Sequence, residues 1–426
     1  MRYYSLNNHD IKVSFKEAAI TGIARDKGLY FPESIPQLEK EFIAKIENYS
    51  NTEIALKAIM PFVGDEIPQH ELKRIVEETL SFDFPLVEVE KDVYSLELFH
   101  GPTMAFKDVG ARFMSRVLNY FTKGENRKIT ILVATSGDTG GAVASGFLGV
   151  EGIDVVILYP SGKVSPVQEM QLTALGQNIT ALEVSGTFDD CQDMVKRAFL
   201  DEELKDMSLT SANSINIARW LPQMFYYFFA YKELKTKGNP IVISVPSGNF
   251  GNICAGMMAK KIGLPIAHFI ASTNANDTVP RFMQTQQYTP QKTIETLSNA
   301  MDVSNPSNFV RILELFGDSL KDELTSYSFT DAQTLETLKK LYTDNNYLAD
   351  PHGAIGYLGL KKFMQDNPGY TGVFLETAHP VKFPDSIEKT LGITIPVPEQ
   401  IKSVMKGEKK TIRISDYNGL KEILKK

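Results

Sequence analysis

The sequence has few of the residues that build disulfide or metal sites. Its 426 residues include only two cysteines, Cys191 and Cys254, together with six histidines and one tryptophan. Two cysteines cannot form a disulfide scaffold, and neither a CxxC nor an HExxH zinc pattern is present. We therefore expect no metal site, and we expect a reducing compartment, which favours the cytoplasm.

Long apolar runs and an excess of positive charge are also missing. The most apolar stretch, residues 224–231, is far shorter than the ~20 residues of a membrane-spanning helix, so we predict a buried helix there. Residues 1–18 contain no continuous apolar segment that would indicate a secretory signal. The net charge of −7 argues against nucleic acid as the main partner. We predict a cytoplasmic enzyme or binding protein without a membrane or nucleic-acid partner.

The composition is that of a globular protein, with 43% hydrophobic and 23% charged residues. Such a chain can bury a sizeable core, and its length predicts roughly two to three domains. The first ~85 residues have mainly helical and loop character, with helices predicted over 43–60 and 71–80. A domain boundary is predicted near residue 85.

Short apolar, β-branched runs alternate with helical stretches in the rest of the chain. These predicted strands are 84–90, 128–134, 153–159, 179–184, 241–245, 266–270 and 373–376. The alternation predicts an α/β fold of parallel sheets with helices on both faces. Because ligands bind beyond the carboxyl ends of such strands, the loops after Ala134, Val245 and Leu375 are the predicted site.

Two polar loops lie between a predicted strand and a helix. Ser247-Gly-Asn-Phe-Gly-Asn252 is neither a Walker loop nor GxGxxG, yet its glycines and the next helix's free N–H groups suit a phosphate. An ordinary βα turn explains this loop equally well. The hydroxyl and N–H groups of residues 135–141 suit a carboxylate or a second phosphate, and a helix cap by Asp138 or Thr139 is the alternative.

A lysine and a threonine in two further segments are candidates for chemistry. Lys107 follows Met104, Ala105 and Phe106, and an apolar setting lowers the pKa of a lysine, which suits Schiff-base formation. By local context alone, a surface lysine paired with Asp108 is the better interpretation. The hydroxyl of Thr377 follows the last predicted strand, where a capped turn is an equal alternative.

The order and spacing of these four segments resemble the threonine synthase family, pyridoxal-phosphate enzymes of the tryptophan synthase β-like fold, or fold type II. Further segments share the resemblance: 14–18, 28–32, 159–165, 211–216 and 302–308. The resemblance covers most of the chain and favours the catalytic interpretation of Lys107. It implies two open parallel-sheet α/β domains with a mainly helical N-terminal region. The implied division is an N-terminal region at 1–85, a large cofactor-binding domain at 86–107 and 216–426, and a smaller domain with the substrate loop at 108–215.

The resemblance also implies a role for each candidate residue. Lys107 is expected to hold pyridoxal 5′-phosphate as a Schiff base and to move protons as the catalytic residue. The loop at 248–252 is expected to bind the cofactor phosphate, and Thr377 to face the pyridine nitrogen. The predicted cofactor-binding residues are Lys107, Gly248, Asn249, Phe250, Gly251, Asn252 and Thr377. The predicted substrate-binding residues are Thr135, Ser136, Gly137, Asp138 and Thr139, with Lys163 and Arg219 for the substrate phosphate.

The implied reaction converts O-phospho-L-homoserine and water to L-threonine and phosphate by β,γ-elimination and addition of water at Cβ. Asp138 departs from the asparagine that many relatives in the wider fold carry. A carboxylate beside the phenolate oxygen of the cofactor is repelled unless a proton is shared, so the resemblance does not assign its role.

Two alternatives compete with this function. One is another fold type II enzyme, a threonine or serine dehydratase or a β-replacement enzyme, which the long N-terminal region and the cationic segments around Lys163 and Arg219 oppose. The other is a catalytically silent binding protein, which the retention of Lys107, both polar loops and Thr377 opposes. We expect a monomer or a homodimer.

Overall fold

The computed structural model describes residues 1–124 and 128–426. The strands of this part of the chain are β1 Arg2–Ser5, β2 Lys12–Ser14, β3 Tyr30–Pro32, β4 Leu86–Glu90, β5 Val93–Glu97, β6 Ile129–Ala134, β7 Ile153–Pro160, β8 Ile179–Val184, β9 Ser208–Ser211, β10 Ile241–Pro246, β11 His268–Thr273, β12 Leu324–Ser328, β13 Thr371–Glu376 and β14 Ile412–Ile414. The α-helices are α1 Phe15–Thr21, α2 Lys40–Ala44, α3 Asn51–Val63, α4 Gln69–Thr79, α5 Lys107–Thr122, α6 Asp138–Phe147, α7 Pro166–Thr173, α8 Phe188–Leu200, α9 Ile217–Trp220, α10 Phe225–Leu234, α11 Gly251–Lys261, α12 Thr278–Thr285, α13 Phe309–Phe316, α14 Leu320–Glu323, α15 Asp331–Asn345, α16 Pro351–Asp366, α17 Pro384–Leu391, α18 Glu399–Met405 and α19 Tyr417–Leu424. None of these helices is long and apolar enough to cross a membrane.

The N-terminal region combines helices α1 to α4 with an antiparallel sheet of order β2-β1-β3, which the sequence pattern did not predict. The single helix predicted over 43–60 is two helices, α2 and α3. The break arises at Ser50, which begins α3 with a capping box: its Oγ accepts from the N–H of Glu53, whose carboxylate accepts from the N–H of Ser50 at 2.8 Å. Helix α4 confirms the second predicted helix.

The larger sheet has six strands in the order β12-β11-β10-β13-β5-β4. All neighbouring strands are parallel except β4, which runs antiparallel to β5. Every residue of β10 and of β13 is buried, because helices cover both faces of the sheet. The predicted strands 84–90, 241–245, 266–270 and 373–376 are confirmed within one to three residues at their ends.

The smaller sheet has five parallel strands in the order β14-β8-β7-β6-β9. The predicted strands 128–134, 153–159 and 179–184 are confirmed as β6, β7 and β8. The strands β5, β9, β12 and β14 were not predicted. Strand β5 is separated from the end of β4 by only two residues, and the other three are short and polar or lie at a sheet edge, so neither an apolar run nor strict alternation marks those three.

The C-terminal segment differs from the predicted division of the chain, which placed all of residues 216–426 with the larger sheet. Strand β14 pairs in parallel with β8 of the smaller sheet. Helix α19 then packs against α8, with Leu420 fully buried beside Cys191 and Leu182. The chain therefore returns to the smaller sheet after α18. The other predicted boundaries stay predictions.

Gly359 provides a test of how α16 packs on the larger sheet. A Cβ at this position overlaps the Oγ of Ser272 and lies 3.3 Å from the Oγ of Ser244. We expect Gly359→Ala to lower the free energy of unfolding by about 1–3 kcal/mol, as overpacking does. Because Ser272→Ala removes the overlapping hydroxyl, the double variant should recover most of this loss in a denaturant-unfolding cycle. An equal loss in both backgrounds would show that the overlap is not the cause.

Candidate active site

A cavity of about 510 Å³ lies where the carboxyl ends of β6, β10 and β13 meet. Strand β6 lies between β7 and β9, and β10 lies between β11 and β13, so the strand order reverses at both positions. Such reversals open a crevice beyond the strand ends, which is where open α/β sheets bind ligands. All predicted site residues line this cavity except Gly137 and Lys163.

Lys107 is the first residue of α5, and backbone bonds hold it next to the segment that follows β13. The N–H of Phe106 donates to the carbonyl oxygen of Thr377 at 2.9 Å. Two residues on, the N–H of His379 donates to the carbonyl of Met104 at 3.1 Å. The segment that carries Lys107 and the segment that carries Thr377 are therefore fixed against each other, and both residues line the cavity.

The Lys107 amine has an altered acidity. Its pKa is lowered to about 8, mainly by burial; the carboxylate of Asp138 opposes this shift, and the positive charges of Lys382 and Arg219 add to it. About a tenth of such side chains are neutral at pH 7, far more than for an exposed lysine. The surface-lysine interpretation is wrong, because Asp108 instead accepts from the Thr103 N–H at 2.9 Å.

Asp138 forms a buried ion pair that sequence analysis missed. The Nζ of Lys382, which is fully buried, lies 2.8 Å from the Oδ1 of Asp138, and the Nε2 of Gln168 donates to the same oxygen at 2.9 Å. Burial by itself raises the pKa of Asp138, but the charges of Lys382 and Lys107 outweigh it and hold this pKa well below its usual range. The carboxylate is therefore charged, and a lysine neutralises it.

The rest of the loop after β6 mixes structural and cavity-facing groups. The Oγ1 of Thr135 accepts from the N–H groups of Gly137 and Gly140, both at 2.9 Å, and so caps the start of α6. Gly137 has a φ of 133° and packs against Gln168 instead of lining the cavity. Ser136 and Thr139 are half-buried and line the cavity. Their hydroxyls remain as candidate ligand groups.

The loop after β10 has the properties of an anion site. Phe250 adopts a left-handed conformation with a φ of 60°, which turns the backbone immediately before α11. A Cβ at Gly248 would lie 2.7 Å from the Cα of Met301, so only glycine fits. Within the described residues, no group accepts a hydrogen bond from the backbone N–H groups of residues 248–252. These N–H donors lie at the N-terminal end of α11, where the positive end of the helix dipole also favours an anion.

The two predicted cations for the substrate phosphate are separated by the structure. Arg219 is 3% exposed and lines the cavity; it donates to the carbonyl of Ala212, and its Nε has no partner within the described residues. Lys163 does not line the cavity. Its side chain is 55% exposed and its Nζ lies 3.7 Å from the carboxylate of Glu295. The structure thus corrects the prediction for Lys163: its loop leaves the ammonium in solvent.

Several parts of the cavity wall were not predicted as site residues. They include the α8 residues Phe188, Asp189, Gln192 and Lys196, the pair Asn213 and Ser214, the segment 299–305, and His352 near the start of α16. The Nδ1 of His352 lies 3.1 Å from the carboxylate of Asp350, which also caps α16. Asn213, Ser214 and residues 302–305 belong to the sequence segments 211–216 and 302–308, which carry the family resemblance. That resemblance is the signal that could have identified them as site residues.

Models of three protein families together match nearly the whole chain. The model "Threonine synthase N terminus" matches residues 2–80, "Pyridoxal-phosphate dependent enzyme" matches residues 83–377, and "Threonine synthase, C-terminal" matches residues 353–424. The chain is 49% identical to the threonine synthase of Haemophilus influenzae over 406 residues, which cover 94% of each chain.

Two crystal structures are similar to the whole fold. Threonine synthase from Escherichia coli matches with a TM-score of 0.94 and 44% identity, over 100% of this chain and 99% of that chain. The pyridoxal-phosphate-bound threonine synthase from Brucella melitensis matches with a TM-score of 0.93 and 36% identity, over 100% and 98%. The expected fold type II architecture and the expected cofactor are thereby confirmed. The chain belongs to the threonine synthase family of pyridoxal-phosphate-dependent enzymes.

Proposed function

We propose that this cavity converts O-phospho-L-homoserine and water to L-threonine and phosphate, with Lys107 as the catalytic residue. The observation that carries the proposal is one lysine of lowered pKa, beside Thr377, in the same cavity as the anion-binding loop 248–252. We assign this reaction to the cavity because the chain belongs to the threonine synthase family.

The residues of the cavity fit pyridoxal 5′-phosphate. Lys107 supplies an amine that is partly neutral at pH 7, as a bond to an aldehyde requires. The 248–252 loop supplies unpaired N–H groups for the phosphate, and the missing side chain of Gly248 lets this loop pack against the backbone of Met301. Thr377 supplies a neutral hydroxyl for the pyridine nitrogen. A hydroxyl cannot balance a ring cation, so we expect the nitrogen to be unprotonated.

Lys107 then moves the protons of the reaction. When bound, pyridoxal phosphate accepts the electron pairs that remain after deprotonation of the substrate. The freed Lys107 amine takes a proton from Cα and releases it before it takes one from Cβ, and phosphate leaves from Cγ. Lys107 returns the Cβ proton to Cγ, which becomes the methyl group; water then gives its hydroxyl to Cβ and its proton to the released phosphate, and Cα is reprotonated last. A single mobile base of pKa about 8 is able to both give and take these protons near neutral pH.

The substrate's two anionic groups meet different donors of the cavity. The hydroxyls of Ser136 and Thr139 and the N-terminus of α6 suit the carboxylate. Arg219, with an unpartnered Nε, suits the phosphate, because a guanidinium donates two hydrogen bonds at once. Asp138 contacts Lys382 and supports the site through that pair. The monomeric or homodimeric state and the cytoplasmic location belong to this proposal as well.

The course of the reaction provides its direct test. In water labelled with heavy oxygen, O-phospho-L-homoserine should give threonine with the label in its hydroxyl group and unlabelled phosphate, because water adds at Cβ. In deuterated water, deuterium should enter the methyl group and Cα. Mass spectrometry and proton NMR measure both. Label in the phosphate would indicate P–O cleavage, and a 2-oxo acid as sole product would indicate a dehydratase.

The lowered pKa of Lys107 predicts how cofactor uptake depends on pH. Only the neutral amine attacks an aldehyde, so the uptake rate of the cofactor-free protein should rise with pH and level off above about 8. An ordinary lysine would show a rise that continues towards about 10.5. Lys107→Ala should lose turnover and the visible absorption of the bound cofactor, whereas Lys163→Ala should keep both. An unchanged spectrum and rate in Lys107→Ala would refute the assignment.

Arg219 and Lys163 give a matched pair of cation variants. Arg219→Met should raise the KM for O-phospho-L-homoserine about tenfold or more, because a charge-assisted bond to phosphate is lost. Its effect on the binding of unphosphorylated homoserine should be much smaller. Lys163→Ala should change neither, since its ammonium lies outside the cavity lining. If Arg219→Met weakens phosphorylated and unphosphorylated ligands equally, Arg219 has a structural role only.

A further inference from the structure

Arg311 is a fully buried cation that none of the roles above uses. It lies on α13, and its guanidinium carbon is 4.3 Å from the ring centroid of Trp220. Burial lowers its pKa to about 10, so it stays charged at neutral pH. Its hydrogen bonds go to carbonyl and amide oxygens instead of to a carboxylate. Such a charge is costly to bury, which makes its placement informative.

The guanidinium joins three separate parts of the chain. Its Nη2 donates to the carbonyls of Ile215 at 2.6 Å and Tyr30 at 3.0 Å. Its Nη1 donates to the Oδ1 of Asn308 at 2.7 Å and to the carbonyl of Ser214 at 3.3 Å. The planar fork of an arginine satisfies all four oxygens at once, and a lysine has no equivalent geometry.

Two of these partners hold the 248–252 loop. The Nδ2 of Asn308 donates to the carbonyl of Asn249 at 3.1 Å and to the Oγ of Ser214 at 3.0 Å. The Nδ2 of Asn249 donates to the same Ser214 oxygen at 2.8 Å. The Oδ1 of Asn249 accepts from the N–H of Ser307 at 2.6 Å. Both ends of the Asn249 amide and its carbonyl are therefore fixed, and two of the residues that fix them, Asn308 and Ser214, are bonded to Arg311.

The N-terminal region takes part in the same network. Tyr30 belongs to β3, and its carbonyl accepts from both the Nε and the Nη2 of Arg311. The Nδ2 of Asn216 donates to the carbonyl of Ala19, at the end of α1, at 2.9 Å. Residues 214–216 are thus tied to the N-terminal region on one side and to the anion-binding loop on the other.

We propose that Arg311 is a positioning residue for the phosphate of pyridoxal 5′-phosphate: it holds Asn308, Ser214 and hence Asn249 so that the N–H groups of residues 248–252 converge. The N-terminal region contributes through the carbonyl of Tyr30. This inference rests on the proposed function, in which that loop binds the cofactor phosphate. Donors fixed in advance bind an anion without a cost of ordering, so loss of Arg311 should weaken the phosphate contact specifically.

The test compares two ligands of the full-length cofactor-free protein, pyridoxal 5′-phosphate and pyridoxal, which lacks the phosphate. Dissociation constants are measured by absorbance titration. Arg311→Lys keeps the charge without the fork, and Arg311→Met removes both. We expect both variants to bind pyridoxal 5′-phosphate about tenfold or more weakly, with the larger loss in Arg311→Met, and to bind pyridoxal within about twofold of the parent.

Two further variants keep the test decisive. Asn308→Ala removes the side-chain link from Arg311 to the carbonyl of Asn249 without cutting the bonds to Tyr30 or to Ser214, and it should show a smaller loss of the same selective kind even if the Arg311 variants do not fold. Arg116→Lys is the matched control: Arg116 joins α4 to α5 through Glu78 and lines no part of the cavity, so it should affect stability alone.

The remaining outcomes distinguish a failure of the positioning role of Arg311 from a failure of the assignment of the 248–252 loop to the cofactor phosphate. Equal loss of affinity for both ligands, or no loss in Arg311→Met and Asn308→Ala, would overturn the positioning role. Gly248→Asp places a side chain and a negative charge in the loop itself and should abolish selective binding of the phosphorylated ligand. If Gly248→Asp has this effect and the Arg311 variants do not, only the present inference fails. If Gly248→Asp has no effect, the assignment of the loop fails as well.

Discussion

The ion pair between Asp138 and Lys382 is the contact on which the site depends. Asp138 follows β6 of the smaller sheet and Lys382 follows β13 of the larger sheet, and both side chains are almost completely buried at an N–O distance of 2.8 Å. Such a pair adds little net stability, but removal of one partner leaves an uncompensated buried charge at a cost of about 3–5 kcal/mol. The two loops are therefore held in one relative arrangement, and Lys107 lies within the field of both charges.

Much of the fold was accessible from the sequence because buried parallel strands are continuous apolar runs. The strands β6, β7, β8, β10 and β13 have such runs, and each was predicted within about two residues. The polar strand β9 and the C-terminal strand β14 have no such signal, since a strand at a sheet edge needs only one hydrogen-bonded partner. The return of the chain to the smaller sheet is decided by that long-range pairing, which local patterns do not encode.

The site was predictable where its groups come from the backbone of a loop and less so where they come from distant side chains. The loops after β6, β10 and β13 follow strand ends, so a correct strand prediction also placed Ser136, Gly248 and Thr377. Lys382 stands 244 residues from Asp138, and nothing in either segment indicates the pair. Lys163 shows the converse error: a cation in a segment that resembles the family need not point into the cavity.

The charges around Lys107 explain why a chain of net charge −7 binds anionic ligands. The groups that shift the pKa of Lys107 are one carboxylate, Asp138, and two further cations, Lys382 and Arg219. Asp138 offsets one of these three positive charges, whereas the carboxylates of Asp189 and Asp302, which also line the cavity, are not among the groups that shift the pKa of Lys107. Burial is the main cause of the lowered pKa of Lys107; Lys382 and Arg219 add to it, and the same two cations favour occupancy of the cavity by carboxylate and phosphate groups. A protein of this design needs no overall basic surface, because the attraction is generated where burial makes each charge act most strongly.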